Sequence, residues 1–446
     1  MKVIELDIPE DLKQILLKNG YDDLYPPQVD AINAGVLEGR NLVLASPTAS
    51  GKTLVAELCV MKNVLIRGGK ALYLTPLRAL ASEKYEDFRK YSNLTKQDGN
   101  PVKIAISTGE YDSSDPWLGR YDIIFATNEK ADSLLRHRAR WIGDISTVVA
   151  DEVHLLTEAD RGPTLEVVLT RLIHINPKIQ LLALSATIRN AEEVAEWLGA
   201  IPITTEWRPV PLREGVYYNG ETHFKDGSAR AIHVIGGDRA LDIALDVVNS
   251  GGQVLIFEET RKASVEMGKK AAAVLKRALS KQAERGLRLP AKKILETGEK
   301  TGLSEALANQ VSYGAGFHHA GLATAHRRLV EEAFRNGRIK ILSATPTLAA
   351  GVNLPARTVI ISSYQRYEPG YGRYPISVLE YKQFCGRAGR PRYDRFGEAV
   401  LIARTEDEQN YLMENYILAE PERLWSKLAV EKVLRPHVLA TIATGY

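Results

Sequence analysis

Short apolar runs recur through the first two hundred positions, each bounded by polar or turn-forming residues: NLVLA, ALYLTP, KIAIST, YDIIFAT, STVVADE and LLALSAT. Between them lie stretches with apolar residues at helical spacing, such as KTLVAELCVMKNVLI. Strands that are apolar throughout are those buried on both faces, so the pattern predicts a parallel sheet covered on each side by helices. The proline-bearing stretch IPITTEWRPVPL breaks the alternation and reads as a linker. Beyond it the alternation resumes with EGVYY, QVLIFEE, GAGFHHAG, IKILSAT, TVIISSY and EAVLIAR. Two α/β domains in tandem are the simplest account, at 1–203 and 204–404. From 405 to 446 the spacing is helical with no strand. So short a segment cannot build a core of its own, and it is expected to open a further domain.

A length of 446 residues fits that division, and 45% hydrophobic with 25% charged residues is a soluble globular composition. No run approaches the ~18 apolar residues of a membrane span, and MKVIELDIPEDLKQ has no apolar signal core. Cys59 and Cys385 are the only cysteines, too few for a disulfide framework or a shared metal, so a reducing, cytoplasmic location is expected. The net charge of +3 does not by itself argue for nucleic acid. The basic clusters at 136–140, 285–293 and 326–328 read as solvated faces unless another signal agrees.

ASPTASGKT supplies that signal. A buried strand, a turn of small residues and an amphipathic helix form the setting of a phosphate-binding loop, although Ser46 stands where the first glycine usually is. Backbone N–H groups of Ser46, Pro47, Thr48, Ala49, Ser50 and Gly51, less the proline, can face phosphates. Lys52 adds a cation, and the Thr53 hydroxyl can ligate Mg²⁺. About one hundred residues later TVVADEVH ends a strand in Asp151 and Glu152. A strand-end aspartate can hold Mg²⁺, and the neighbouring carboxylate can polarise an attacking water. Hydrolysis of a nucleotide needs both.

ASPTASGKT, DEVH, SAT and, far downstream, QFCGRAGRP occur in an order that resembles the superfamily 2 DExH-box helicases. FHHAGLATAHRRLVEE, GVNLPA, EYKQFCGRAGRPRYD and the tail SKLAVEKVLRPHVLATIA are most similar to the archaeal Hel-type, or Hjm, DNA helicases. The resemblance covers nearly the whole chain. It implies an α/β fold of two tandem RecA-like domains, with the tail beginning a winged helix, and ATP and Mg²⁺ as cofactors. Lys52 and Thr53 would contact phosphate and metal, Asp151 the metal, and Glu152 the water. Gln28 would read the adenine edge, while His154, Ser185 and Thr187 would couple ATP state to nucleic-acid grip. Gln383, Arg387 and Arg390 would reach the γ-phosphate from the second domain.

The same resemblance supplies strand contacts: Thr75, Pro76, Arg78, Thr127, Asn128 and Lys130 in the first domain, and Thr260, Arg261, His318, His319, Thr345, Thr347 and Asn353 in the second. The family often has proline where this chain has Asn128. Between two second-domain motifs, SSYQRYEPGYGRYPISVLEYKQF pairs turn chemistry with alternating tyrosines and reads as a projecting β-hairpin. In duplex-splitting relatives a hairpin here wedges between strands, a role for Tyr367, Tyr371 and Tyr374. The implied activity is ATP-dependent 3′ to 5′ movement on single-stranded DNA and unwinding of forks in replication-coupled repair. Single-stranded and forked DNA would be its partners, with replication or repair proteins beside them, and a monomer the expected state. An RNA helicase of the same superfamily and a nucleotide-gated DNA clamp that never unwinds are the rival readings.

Overall fold

The computed structural model describes residues 1–109, 114–234, 237–278, 281–346, 348, 354–368, 372–391 and 393–443. The apolar runs of the first half become β1 (Leu42–Ala45), β2 (Lys70–Thr75), β3 (Ile104–Ser107), β4 (Ile123–Thr127), β5 (Ile145–Ala150) and β6 (Gln180–Ser185), and β7 (Ile201–Thr204) joins them at the edge. All pair in parallel, in the order β3-β4-β2-β5-β6-β1-β7. Successive side chains in a strand point to opposite faces. Val43, Leu72 and Val148 therefore enter one core while Leu42, Leu44, Ala71 and Tyr73 enter the other. Burial on both faces is the reason that the strands carry unbroken apolar runs. The order sets the carboxyl ends of β2, β5, β6 and β1 side by side, and the next residues along the chain from those ends are the motif residues.

The second half repeats the plan. Its strands are β8 (Leu212–Tyr218), β9 (Glu221–Phe224), β10 (Ala229–Ala231), β11 (Val254–Phe257), β12 (Ala315–His318), β13 (Ile341–Ala344), β14 (Thr358–Ile361), the hairpin pair β15 (Gln365–Glu368) and β16 (Gly372–Pro375), and β17 (Gly397–Ile402). The main sheet runs β10-β9-β8-β17-β14-β11-β13-β12, parallel except where β9 meets β8 and β10. The hairpin stands apart as an antiparallel pair, with Arg366 opposite Tyr374 and Tyr367 opposite Arg373. The architecture is thus two tandem RecA-like α/β domains, as expected. Among the described residues no helix is long and apolar enough to cross a membrane.

The chain divides into two compact units, Met1–Trp207 with Pro421–Tyr446, and Arg208–Glu420. The first crossing between them lies at Trp207 and Arg208. The C-terminal stretch, read from sequence as one piece from 405, is shared between the units. Leu412, Tyr416 and Ile417 are buried in the second core. From Pro421 onward the chain lies on the first unit. Leu424 is in the first unit's core, its N–H donates to Asn190 Oδ1 at 2.8 Å, and its carbonyl accepts from Asn190 Nδ2 at 3.1 Å. Arg423 pairs with Glu193, Ser426 donates to Glu166, and Arg171 donates to the Thr441 hydroxyl on the helix Glu431–Ala443.

The helix Gly162–Ile175 starts hard against the turn that follows β5. A methyl group on Gly162 would lie 2.0 Å from the carbonyl oxygen of Leu156. Gly162→Ala must therefore displace backbone, and a loss of about 1–3 kcal/mol is expected. Urea unfolding followed by a probe in the first unit measures it, and an unchanged midpoint would show that the turn yields freely.

Candidate active site

The phosphate loop runs from β1 into the helix Lys52–Arg67. Gly51 precedes that helix with φ of 90°, a left-handed conformation that favours glycine, and a Cβ there would sit 2.2 Å from Gln28 Nε2. Gln28 holds both sides of this corner: its Nε2 donates to Gly51 O at 3.0 Å and its Oε1 accepts from Tyr25 N at 2.8 Å. Where the usual first glycine is missing, Ser46 and Ser50 share a hydroxyl–hydroxyl bond of 2.7 Å, both fully buried. The serine thus closes the loop on itself. Lys52 Nζ donates to the carbonyls of Ser46 and Pro47 at 2.6 and 3.0 Å, so its charge is held over the loop's mouth by groups that an anion can replace.

β5 delivers Asp151, 7% exposed, next to β2. Its carboxylate accepts from Tyr73 OH at 3.0 Å and from the Glu152 N–H at 3.0 Å. Burial and the charge of Glu152 push this carboxyl above its usual range, against the pull of Lys84, the Tyr73 hydroxyl and Lys52. Glu152 itself takes a left-handed φ of 58°, which turns its side chain outward, 36% exposed and within reach of water. His154 is buried. Its Nδ1 accepts from the Ala186 N–H at 3.1 Å, so the ring proton belongs on Nε2 and the ring ties the DEVH turn to the Ser185–Thr187 strand end. Ser185 O in turn accepts from Ser46 N at 3.2 Å. Phosphate loop, DEVH turn and SAT segment therefore form one connected set within the first unit.

Lys84, from the helix Arg78–Phe88, donates to Thr53 Oγ1 at 3.1 Å. Burial opposes its charge, but Asp151, Glu83, Asp87 and Glu152 outweigh burial and keep the ammonium protonated. A buried cation against Thr53, drawn by Asp151, shows that these hard oxygen donors make a position favourable to a small cation.

The remaining sequence-derived residues divide by exposure. Arg78, Thr260 and Arg261 are exposed, and Tyr367 is 56% exposed on the hairpin with Tyr374 half-buried beside Arg366. Thr75, Pro76, Thr127, Asn128 and Lys130 are buried, Lys130 against Asp115 at 2.9 Å. Asn128 is the first residue of the helix Asn128–Arg136, capped by Thr127. That position needs no intrahelical N–H partner, so it accepts proline or asparagine alike. His318 is buried with Nε2 2.9 Å from Glu331, His319 Nδ1 accepts from Gly321 N, and Thr345 is also buried. Thr347, Asn353 and Tyr371 lie outside the described residues. Gln383 and Arg387 are partly exposed in the second unit. Arg390 is engaged there by Asp394, at 2.7 and 2.8 Å, and by Gln253 at 2.5 Å.

The DEAD/DEAH box helicase family matches residues 25–194, and the helicase conserved C-terminal domain matches 287–392. The ATP-dependent DNA helicase Hel308 of Methanocella arvoryzae is 50% identical over 447 aligned residues, covering 100% of this chain and 60% of that protein. The chain belongs to the superfamily 2 helicases, on the Hel308 branch. The proteins of the same name from Pyrobaculum calidifontis and Pyrococcus abyssi are each 45% identical, with 100% of this chain aligned and 61% and 60% of theirs. This chain thus spans about 60% of the length of the curated relatives it matches.

Within this helicase core the sequence reading missed Tyr73 and Lys84. Neither carries a local signal: a tyrosine in a strand reads as core and a lysine in a helix as solvated. Only the pairing of β2 with β5 brings the tyrosine to Asp151, and only the helix after β2 brings the lysine to Thr53.

The His154 ring yields a pH dependence. Burial first, then the charge of Lys52, lower its pKa from near 6.5 to about 3. Between those values the unfolded chain takes a proton that the folded chain refuses, so stability falls as pH drops through that window. The expected contribution is about 3 kcal/mol lost between pH 6.5 and 4. Urea unfolding at stepped pH should show a flatter acid limb in His154→Gln, and parallel limbs would place the titration elsewhere.

Proposed function

We propose that this chain is the motor core of an ATP-dependent DNA helicase that moves 3′ to 5′ on single-stranded DNA and opens forked duplexes. The observation that carries this reading is the linked set in the first unit: the Lys52 loop, the Asp151–Glu152 pair and the His154 bridge to the SAT segment. Lys52 exchanges its loop carbonyls for β- and γ-phosphate oxygens, and the loop amides complete the cradle. Thr53 and Asp151 would hold Mg²⁺, which neutralises charge on the phosphates when bound. Glu152, exposed at its carboxylate, takes the proton of the attacking water. Gln28, fixed at the loop's corner, selects the adenine edge. Arg387 and Arg390 of the second unit are proposed to add positive charge at the γ-phosphate, Arg390 by exchanging Asp394 for it.

The strand contacts best supported by exposure are Arg78, Thr260 and Arg261, whose hydroxyl and guanidinium groups suit phosphate. Thr127 and Lys130 support the strand-binding edge from beneath. The relatives are named as DNA helicases, which favours DNA over RNA, and the hairpin favours strand separation over a passive clamp, because its exposed tyrosine can stack on an unpaired base.

Steady-state ATP turnover without nucleic acid, with single-stranded DNA and with single-stranded RNA tests the reading. Stimulation by DNA is expected, with Glu152→Gln lowering turnover by about 10²–10⁴-fold. Equal stimulation by RNA would transfer the proposal to RNA, and none by either would favour the clamp. For the hairpin, Tyr367→Ala combined with Tyr374→Ala should leave DNA-stimulated turnover within about twofold and reduce fork opening about tenfold or more, consistent with stacking worth ~1–3 kcal/mol per base. Unimpaired fork opening in that variant would remove the wedge.

A further inference from the structure

The chain passes from the first unit to the second between Trp207 and Arg208, and the residues on each side of that bond are fastened to the chemistry of their own unit. On the first side, Thr205 continues the ladder of β7: its N–H donates at 3.1 Å to the carbonyl of Ala45, the last residue of β1 before the phosphate loop. The Thr205 hydroxyl accepts from the Trp207 N–H at 3.1 Å. The indole of Trp207 packs on the ring of Tyr25, with centroids 4.8 Å apart and planes tilted by 44°. Tyr25 donates its N–H to Gln28 and its ring borders Gly51, where an added Cβ would come within 3.3 Å of Tyr25 Cδ2. Trp207 therefore rests on the corner of the nucleotide loop.

On the second side, Arg208 donates to Ala388 O at 2.8 Å and makes longer contacts of 3.4 Å to the carbonyls of Cys385 and Gly386. These carbonyls lie at or just past the end of the helix Val378–Cys385, where carbonyls lack intrahelical partners and a cation is favoured. A guanidinium offers five donors in a rigid planar fork, a geometry that suits several neighbouring carbonyls at once. Two residues on, Val210 lies against Gly389, where a Cβ would meet Val210 Cγ1 at 2.6 Å, and Pro211 O accepts from Gly397 N at 2.8 Å. The stretch from Arg208 to Pro211 thus shapes the loop that carries Arg387 and Arg390.

We propose that Trp207 and Arg208 are positioning residues that act as one mechanical link, through which occupancy of the Gln28–Gly51 corner sets the posture of the Arg387–Arg390 loop. The inference rests on the proposed ATPase reading for its consequence, though not for its geometry. Consecutive Cα atoms are held about 3.8 Å apart, so only the φ and ψ rotations of Trp207 and Arg208, two residues each tied down by contacts within its own unit, lie between a shift of the Tyr25–Trp207 pair and the Arg208 side chain. Misplacement of a charge-stabilising group by about 1 Å is enough to cost roughly 10²-fold in rate.

Slack can be added without altering either anchor, by inserting two glycines between Trp207 and Arg208. Binding of a fluorescent ADP should stay within about twofold of the unmodified chain, while DNA-stimulated turnover falls roughly 10- to 100-fold. Amide exchange over residues 385–390 supplies a second readout that needs no hydrolysis. Nucleotide should change exchange there in the unmodified chain and leave it unchanged in the insertion variant. Arg208→Gln should lower kcat with little effect on KM, Arg208→Lys should recover only part of it, and Trp207→Ala should raise KM instead.

Turnover and nucleotide-dependent exchange that survive the insertion would overturn the link, as would exchange at 385–390 that ignores nucleotide in the unmodified chain. An unmodified chain that binds nucleotide and shows the exchange response without hydrolysing ATP would instead refute the ATPase reading and leave the link standing.

Discussion

A carboxylate at the end of a strand buried on both faces is expensive: taking the charge out of water costs several kcal/mol unless partners replace the lost solvation. Asp151 is in that situation, and much of the first unit can be understood as the means of keeping it there. β2 must lie beside β5 to bring the Tyr73 hydroxyl, the following peptide must turn its N–H onto the carboxylate, and the helix after β2 must run so that Lys84 lies within electrostatic reach. At the next residue a left-handed φ throws Glu152 toward solvent. One backbone conformation thus gives two adjacent carboxylates opposite environments, one suited to holding a cation and the other to handling water.

The second unit meets a similar demand with opposite sign. Arg390 is paired with Asp394, and its Nη1 reaches Gln253, whose own amide spans the carbonyls of Phe334 and Ile339. A phosphate that is to engage this arginine has to outcompete a nearly buried carboxylate, an exchange of one anion for another with little change in net charge. That makes the arginine loop ordered before any ligand arrives, and it assigns the loop's shape to Arg208, Val210, Asp394 and Gln253 together.

The fold was largely legible because burial on both faces of a parallel sheet writes itself into the chain as unbroken apolar runs. The phosphate loop and DEVH turn were legible for a related reason: their chemistry is local, with donors and charges adjacent in sequence. What could not be read depends on distant pairings. Lys84 and Tyr73 acquire meaning only through the order of β2 and β5. His318 is expected as a strand contact from the FHHAGL motif, and nothing beside it in sequence indicates that its ring meets Glu331, thirteen residues further on. The tail reads as one piece because nothing near Leu424 announces that its hydrogen-bond partner is Asn190, 234 residues earlier.

That last pairing makes the first unit discontinuous, with the whole of the second unit inserted between its two pieces. During synthesis the first piece leaves the ribosome long before the second exists, and all of the inserted unit is made in between. A sheet that folds as it emerges does so without its closing strap, and the Asn190 surface stays open until the strap arrives. A protease that nicked the chain at either crossing would meanwhile leave the halves joined through the other.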